Sequence, residues 1–238
     1  MKLLRYRDGN LVKPGILDKE NKVRNMSSLV EDWNNATISA ENLNRIKNAD
    51  LSLMPIVDEG FTFAPCIAGV GKFICIGLNY SDHAAETGQE VPKEPIMFMK
   101  ATSAICGPND DIIIPKNSSK SDWEVELGVI IGKETKHIEE KQSQDHIAGY
   151  CVVNDLSERE FQLEHYGQWV KGKSCDTFGP IGPYLVTKDE IADPQNLKMW
   201  LDVNGERMQD GSTSTMVYGV NFLVSYLSQF MSLQPGDV

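Results

Sequence analysis

The sequence predicts an α+β fold rich in β-structure: a β roll or sandwich with few helices and a small N-terminal domain. From Lys72 onward, short apolar runs follow one another closely: FICIG, IMFMKA, DIIIP, WEVELGVIIG, GYCVVND, GPYLVT and LKMWLDV. Such runs, punctuated by Gly, Pro, Asn and Asp, read as strands. Helical patterns in this half are confined to SEREFQLEHYG and VYGVNFLVSYLSQF. They do not alternate with the strands as a doubly wound parallel sheet requires. The run LKMWLDV meets NGERM, and an Asn-Gly pair after a strand marks a tight hairpin.

Ahead of these strands, LLRY, RDGN and LVKPGILD read as short strands joined by turn chemistry. LVEDW and SAENLNRIKNA read as two short helices, the second starting near Ser39 with Glu41 close behind. The Pro- and Gly-rich PIVDEGFTFAPCIAGVGK reads as a connection. The expected division is a small α+β unit over 1–68 and a larger unit over 69–238 that carries the chemistry.

A chain of 238 residues with 41% hydrophobic and 24% charged residues can bury a core of its own. Its formal charge of -11 argues against a nucleic-acid partner, which wants a basic patch, but not against a small anionic substrate held in a locally positive cleft. The opening MKLLRYRDGNLV lacks the apolar core of a secretory signal, and no apolar run is long enough to span a bilayer. Cysteines 66, 75, 106, 151 and 175 are odd in number and form no C-x-x-C pair. Reduced thiols in a cytoplasmic protein without a membrane partner are expected.

Residues 167–174, GQWVKGKS, match the phosphate-loop pattern G-x-x-x-x-G-K-[ST]. That loop needs a buried strand before it and a helix directly after it. Here the polar EREFQLEHY precedes, and CDTFGPIGP, broken by two prolines, follows. Nucleotide binding at Lys173 is not expected.

The stretch DWEVELGVIIG places Glu124 and Glu126 on one face of a strand, and GYCVVND ends at Asp155. Together they would form an all-oxygen site of the kind Mg²⁺, Mn²⁺ or Ca²⁺ prefers. Spacing alone favours the plainer readings, a solvated strand face for the two glutamates and a helix N-cap at Asp155. In GLNYSDHAAE, His83 and Glu86 share a face if a helix starts at Ser81 or Asp82. A carboxylate beside an imidazole suits a general base that activates water, while a capped helix start with an incidental pair fits the spacing as well.

Taken together, GLNYSDHAAE, DWEVELGVIIGK, GYCVVNDLSEREFQ, QWVKGKSCDTFGPIGPYLVT and LDVNGERMQDGSTSTM resemble the fumarylacetoacetate hydrolase family in order and spacing from about residue 70 onward. The resemblance implies a β-rich roll around a divalent metal, Mg²⁺ first and Mn²⁺ or Ca²⁺ otherwise, in a homodimer. It places the metal on Glu124, Glu126 and Asp155, and water activation on His83 and Glu86. Substrate binding falls on Arg159, Gln162 and Lys173, with Lys173 also stabilising charge during catalysis. The implied activity is metal-dependent hydrolysis of a carbon–carbon bond in a small 2,4-dioxo acid, an acylpyruvate or a 2,4-diketo-3-deoxy sugar acid, releasing pyruvate. Ureidoglycolate lyase, oxaloacetate decarboxylase and isomerase activities share the scaffold, and a non-catalytic metal-binding protein is the remaining alternative. Family members continue through a Thr/Gly-rich loop and closing strands, so the 69–238 unit is expected to lack its C-terminal part, as a fragment or a truncated product. If the chain is truly this short, weak stability and impaired activity are expected.

Overall fold

The computed structural model describes residues 1–88 and 90–238. The chain opens with β1 (Lys2–Asp8) and β2 (Leu11–Leu17), an antiparallel hairpin in register from Lys2↔Leu17 to Asp8↔Leu11. β3 (Val23–Asn25) adds to β2, and β4 (Thr62–Phe63) adds to β1. Between them lies α1 (Ala40–Lys47), capped where Ser39 accepts from the Asn42 amide.

β5 (Phe73–Gly77) leads into α2 (Ser81–Thr87) and pairs with β6 (Ile96–Lys100). Next come β7 (Ile105–Cys106), β8 (Ser121–Asp122) and β9 (Val125–Ile131). One turn of helix, α3 (Ser143–His146), precedes β10 (Ile147–Asn154) and β11 (Ser157–Glu158). Another, α4 (Val170–Lys173), precedes β12 (Gly179–Thr187). The hairpin of β13 (Lys198–Val203) and β14 (Glu206–Ser212) leads to α5 (Val220–Ser228).

The main sheet runs β3-β2-β1-β12-β10-β9, with β4 and β7 attached at its sides. Apart from the parallel β7–β12 contact, its ladders are antiparallel. The architecture is thus α+β and β-rich, as the strand count and sparse helices predicted. β1 pairs directly with β12 through Lys2↔Val186 and Leu3↔Leu185, so the first strands continue the same sheet as β10 and β9.

One core cluster gathers Leu3, Ile16, Trp33, Ile46, Ile130, Val153 and Leu185 beneath α1. A second packs Ile131, Ile147 and Tyr150 against Val220, Val224 and Leu227 of α5. The predicted hairpin forms with Asn204 at φ 52 and Gly205 at φ 85, the two left-handed residues that this tightest turn demands.

Three local expectations differ from the structure. LVEDW forms turns rather than a helix, because its side chains are committed to long-range partners. Asp32 takes the Arg5 guanidinium at 2.7 and 2.8 Å, and the buried Trp33 indole donates to Gly15 O at 2.9 Å. DIIIP joins no ladder: the Ile113 amide donates to Thr177 Oγ1, and Ile113 and Ile114 remain exposed. SEREFQLEHYG begins as β11 and continues as a single π-helical turn over Glu160–Glu164.

Asp237 ties β9 to β5. Its buried carboxylate accepts from the Lys72 and Gln234 amides at 2.8 and 2.7 Å and pairs with Lys72 Nζ at 2.5 Å. Its carbonyl accepts from Ile131 N, while Ile74 N donates to Val238 O. Asp237→Ala would leave two amides and an ammonium without this partner. It is expected to cost about 3 kcal/mol, near the low end for breaking a buried pair because Lys72 is partly solvated. Urea unfolding of the variant and the parent checks this.

Candidate active site

The ends of β9 and β10 build the centre. Their register sets Val125 opposite Asn154 and Glu126 opposite Val153. Just outside the ladder, the Asp155 amide donates to Glu124 O at 2.8 Å, and the Glu124 amide donates to Asn154 Oδ1 at 3.1 Å. Glu124 and Asp155 are therefore backbone neighbours although 31 positions apart in sequence (155 − 124).

Cations bind these acids. Lys173 Nζ donates to Glu124 Oε2 at 2.6 Å and to Asp155 Oδ2 at 2.8 Å. Lys100 Nζ donates to Asp155 Oδ1 at 2.6 Å and to Leu156 O at 3.0 Å. Arg159 donates from Nε to Asp122 Oδ2 at 2.8 Å, from Nη2 to Glu124 Oε1 at 2.6 Å and from Nη1 to Gln162 Oε1 at 3.0 Å. Both lysines are 2% exposed, and Asp155 and Gln162 are 4% exposed.

Burial pushes the Asp155 carboxyl upward, but Lys100 and Lys173 outweigh it and hold it below the ordinary carboxylate range. Glu126 is the opposite case. Its burial, then the charges of Glu124 and Asp155, raise its pKa to about 8, with the Tyr80 hydroxyl as hydrogen-bond donor at 3.4 Å.

The structure brings Glu124, Glu126, Asp155, Arg159, Gln162 and Lys173 into one cluster. Among the described residues, however, no group of three His, Cys, Asp or Glu side chains is spaced to hold a metal ion. Lys173 bridges two of the acids instead. The chemistry of the donor set still fits a hard divalent cation: the acids offer oxygen donors only, and the neighbouring charges that raise Glu126 would be offset by a dication.

His83 and Glu86 lie on α2, sharing a face as their spacing predicted, with His83 Nδ1 at 3.9 Å from Glu86 Oε2 and both side chains exposed. α2 starts directly after Tyr80, whose hydroxyl reaches Glu126, but the structure does not bring the exposed His83 and Glu86 into the acid cluster. An apolar cavity of about 130 Å³ lies alongside, lined by Ile74, Ile76, Leu127, Val129 and Val224, with Tyr80, Glu126 and Asp155 also lining it.

Sequence reasoning missed Lys100, Tyr80 and Asp122. For Lys100 the signal was present: in IMFMK it shares parity with Ile96 and Phe98, whereas Met97 and Met99 are exposed. A lysine on the apolar side of a strand needs a buried acid. Asp122 also carried a signal, since it shares parity with Glu124 and Glu126 in DWEVEL, whereas Tyr80 gave none, its partner coming from a distant segment.

In the phosphate-loop look-alike, Lys173 ends a four-residue helix and points into the acid cluster. A Cβ on Gly172 would stand 2.3 Å from Glu158 O and 2.6 Å from Gln162 N, so the glycine serves a close backbone approach.

This fold and cluster define an enzyme-type centre of carboxylates and lysines on a β-rich scaffold. The family model for the fumarylacetoacetate (FAA) hydrolase C-terminal domain matches residues 72–238, and the chain belongs to that family. A protein of Burkholderia lata, named only at the level of a hydrolase, is 56% identical over 238 residues, all of this chain and 84% of its own.

Among solved structures, fumarylacetoacetate hydrolase from Exiguobacterium antarcticum is similar at a TM-score of 0.86 and 30% identity, over all of this chain and 84% of its own. Maleylpyruvate hydrolase from Sphingobium sp. SYK-6, in complex with manganese(II) and pyruvate, is similar at 0.83 and 25%, over all of this chain and 86% of its own. 5-Carboxymethyl-2-hydroxymuconate delta-isomerase from Mycobacterium smegmatis is similar at 0.77 and 27%, over all of this chain and 85% of its own. No helix among the described residues is long and apolar enough to cross a membrane.

Proposed function

We propose that this chain is a divalent-metal-dependent hydrolase that cleaves a carbon–carbon bond in a small 2,4-dioxo acid and releases pyruvate. The observation that carries the reading is the single cluster of Glu124, Glu126 and Asp155 with Arg159, Lys100 and Lys173, on a chain of this family. The likeness to maleylpyruvate hydrolase, whose structure holds manganese(II) and pyruvate, supports it.

Glu124, Glu126 and Asp155 would hold Mg²⁺ or Mn²⁺, which would supply Lewis-acid polarisation of the substrate. Arg159 and Gln162, hydrogen-bonded to each other, present donors to a substrate carboxylate. His83, with the Glu86 carboxylate beside it on α2, would take the proton from water. The water oxygen adds to the distal carbonyl, and the bond between C3 and C4 breaks. One fragment leaves as a carboxylic acid, and the electron pair stays on the other as pyruvate enolate. The Lys100 and Lys173 ammonium groups balance that charge, and the His83 proton returns to carbon.

The test is pyruvate release from a panel of 2,4-dioxo acids, with Mg²⁺ or Mn²⁺ and with EDTA. Ureidoglycolate and oxaloacetate are included and scored by glyoxylate and CO₂. Metal-dependent pyruvate from a dioxo acid, abolished by EDTA, is expected. Silence across the panel from folded, metal-loaded protein would sink the reading. The likeness to the delta-isomerase favours a second reading, double-bond migration without cleavage, which ultraviolet spectra of an unsaturated 2-oxo diacid would reveal with no pyruvate formed.

A further inference from the structure

The Glu158 carboxylate is a fully buried acid that the chemistry above does not use. It accepts from the hydroxyls of Ser118 and Ser121, the latter at 3.3 Å, and from the amides of Lys120 and Glu160, each at 3.1 Å. Three of these donors belong to the segment entering β8, and the fourth opens the π-helical turn. The backbones are laddered at the same place, with Ser157 opposite Asp122, Glu158 opposite Ser121, and the Arg159 amide donating to Lys120 O at 2.9 Å.

The residues on either side of this junction matter to the site. Asp122 leaves β8 to receive Arg159 Nε, and Arg159 follows Glu158 directly. α4, which ends in Lys173, also packs against Glu158, where Gly172 leaves no room for a Cβ beside Glu158 O. Burial alone would push the Glu158 carboxyl up, but the Ser118 hydroxyl and the two amides outweigh it and keep the group an acceptor.

We propose that Glu158 is a positioning residue: its carboxylate clamps residues 118–122 to the Arg159 turn, and so holds the Arg159 guanidinium where it reads a substrate carboxylate. The inference rests on the dioxo-acid reading for its substrate. A carboxylate meets four donors with acceptor lone pairs only, whereas glutamine turns an NH₂ toward some of them at nearly unchanged shape.

The test compares Glu158→Gln and the double variant S118A/S121A with the parent, each as the full chain loaded with Mn²⁺. The expected result is a KM for the dioxo acid raised about ten-fold, at the low end for losing an outer partner, with kcat within about three-fold. Pyruvate binding by calorimetry should weaken by the same factor. KM and pyruvate affinity at parental values would overturn the proposal, whatever the melting temperature does. If Glu158→Gln does not fold, the double variant, which keeps the acid and its two amide donors, is read in its place.

A parent that neither turns over a dioxo acid nor binds pyruvate would sink the function reading separately. Amide exchange at residues 120, 159 and 160 then decides on the clamp. Faster exchange in the variants supports it, and unchanged exchange overturns it.

Discussion

Lys173→Met is expected to lower kcat/KM by about 10²–10³-fold, the cost of removing one group that faces developing charge, while divalent-metal binding is retained or tightened. Lys173 is 2% exposed, and its ammonium is bonded to Glu124 and Asp155 with the Phe98 ring at 5.1 Å. Burial works against its charge, but the two carboxylates outweigh burial and raise its pKa, so it is a full cation at neutral pH. It holds oxygens of two of the carboxylates that would hold the proposed metal. Methionine fills similar space, removes the charge that would face the enolate, and removes a competitor for those oxygens.

The same substitution leaves Glu124, Glu126 and Asp155 with fewer balancing cations, so the variant's stability should depend more on added metal than the parent's. Mn²⁺ calorimetry, steady-state kinetics and melting curves with and without EDTA check the three parts. Loss of metal affinity together with activity would mean that Lys173 builds the metal site rather than acting beside it. Loss of Mg·ATP affinity would instead restore the phosphate-loop reading.

What the sequence revealed, and what it hid, follows from how local each signal is. The fold class was legible because strand runs, the Asn204-Gly205 turn and the Ser39 cap act over a few residues. LVEDW misled because local pattern does not show that Asp32 binds Arg5 or that Trp33 reaches Gly15. In the site, parity along a strand put Glu124 and Glu126 on one face. It took the β9–β10 register to set Asp155 beside Glu124, and the five linked motifs to choose an inward-facing site over a solvated one. Lys100 needed parity to be applied to a cation, which apolar strand scanning passes over. Glu158 could not be found at all from sequence, because its four donors come from both sides of a junction that exists only after folding.

Gly172→Ala is expected to destabilise the protein by about 2–3 kcal/mol, within the range for overpacking a tight interior, and to lower activity further than that loss alone explains. The new methyl would stand 2.3 Å from Glu158 O, 2.6 Å from Gln162 N and 2.7 Å from Gln162 Cβ. Two of those atoms are backbone, so no rotamer change relieves the contact, and α4 or the π-helical turn must move. Moving α4 shifts Lys173 away from Glu124 and Asp155. Moving the turn disturbs Gln162, and Arg159 with it through their hydrogen bond. Either displacement of about 1 Å would reach the reacting geometry, where such errors cost about a hundred-fold.

At roughly 2–4 °C per kcal/mol for a chain of this size, the melting temperature should fall by about 4–12 °C. Kinetics measured well below that temperature separate the two effects. Activity lost in a still-folded variant would show that this glycine keeps Lys173 on its acids. Parental kinetics and stability together would show that the close approach at Gly172 is not a constraint in solution.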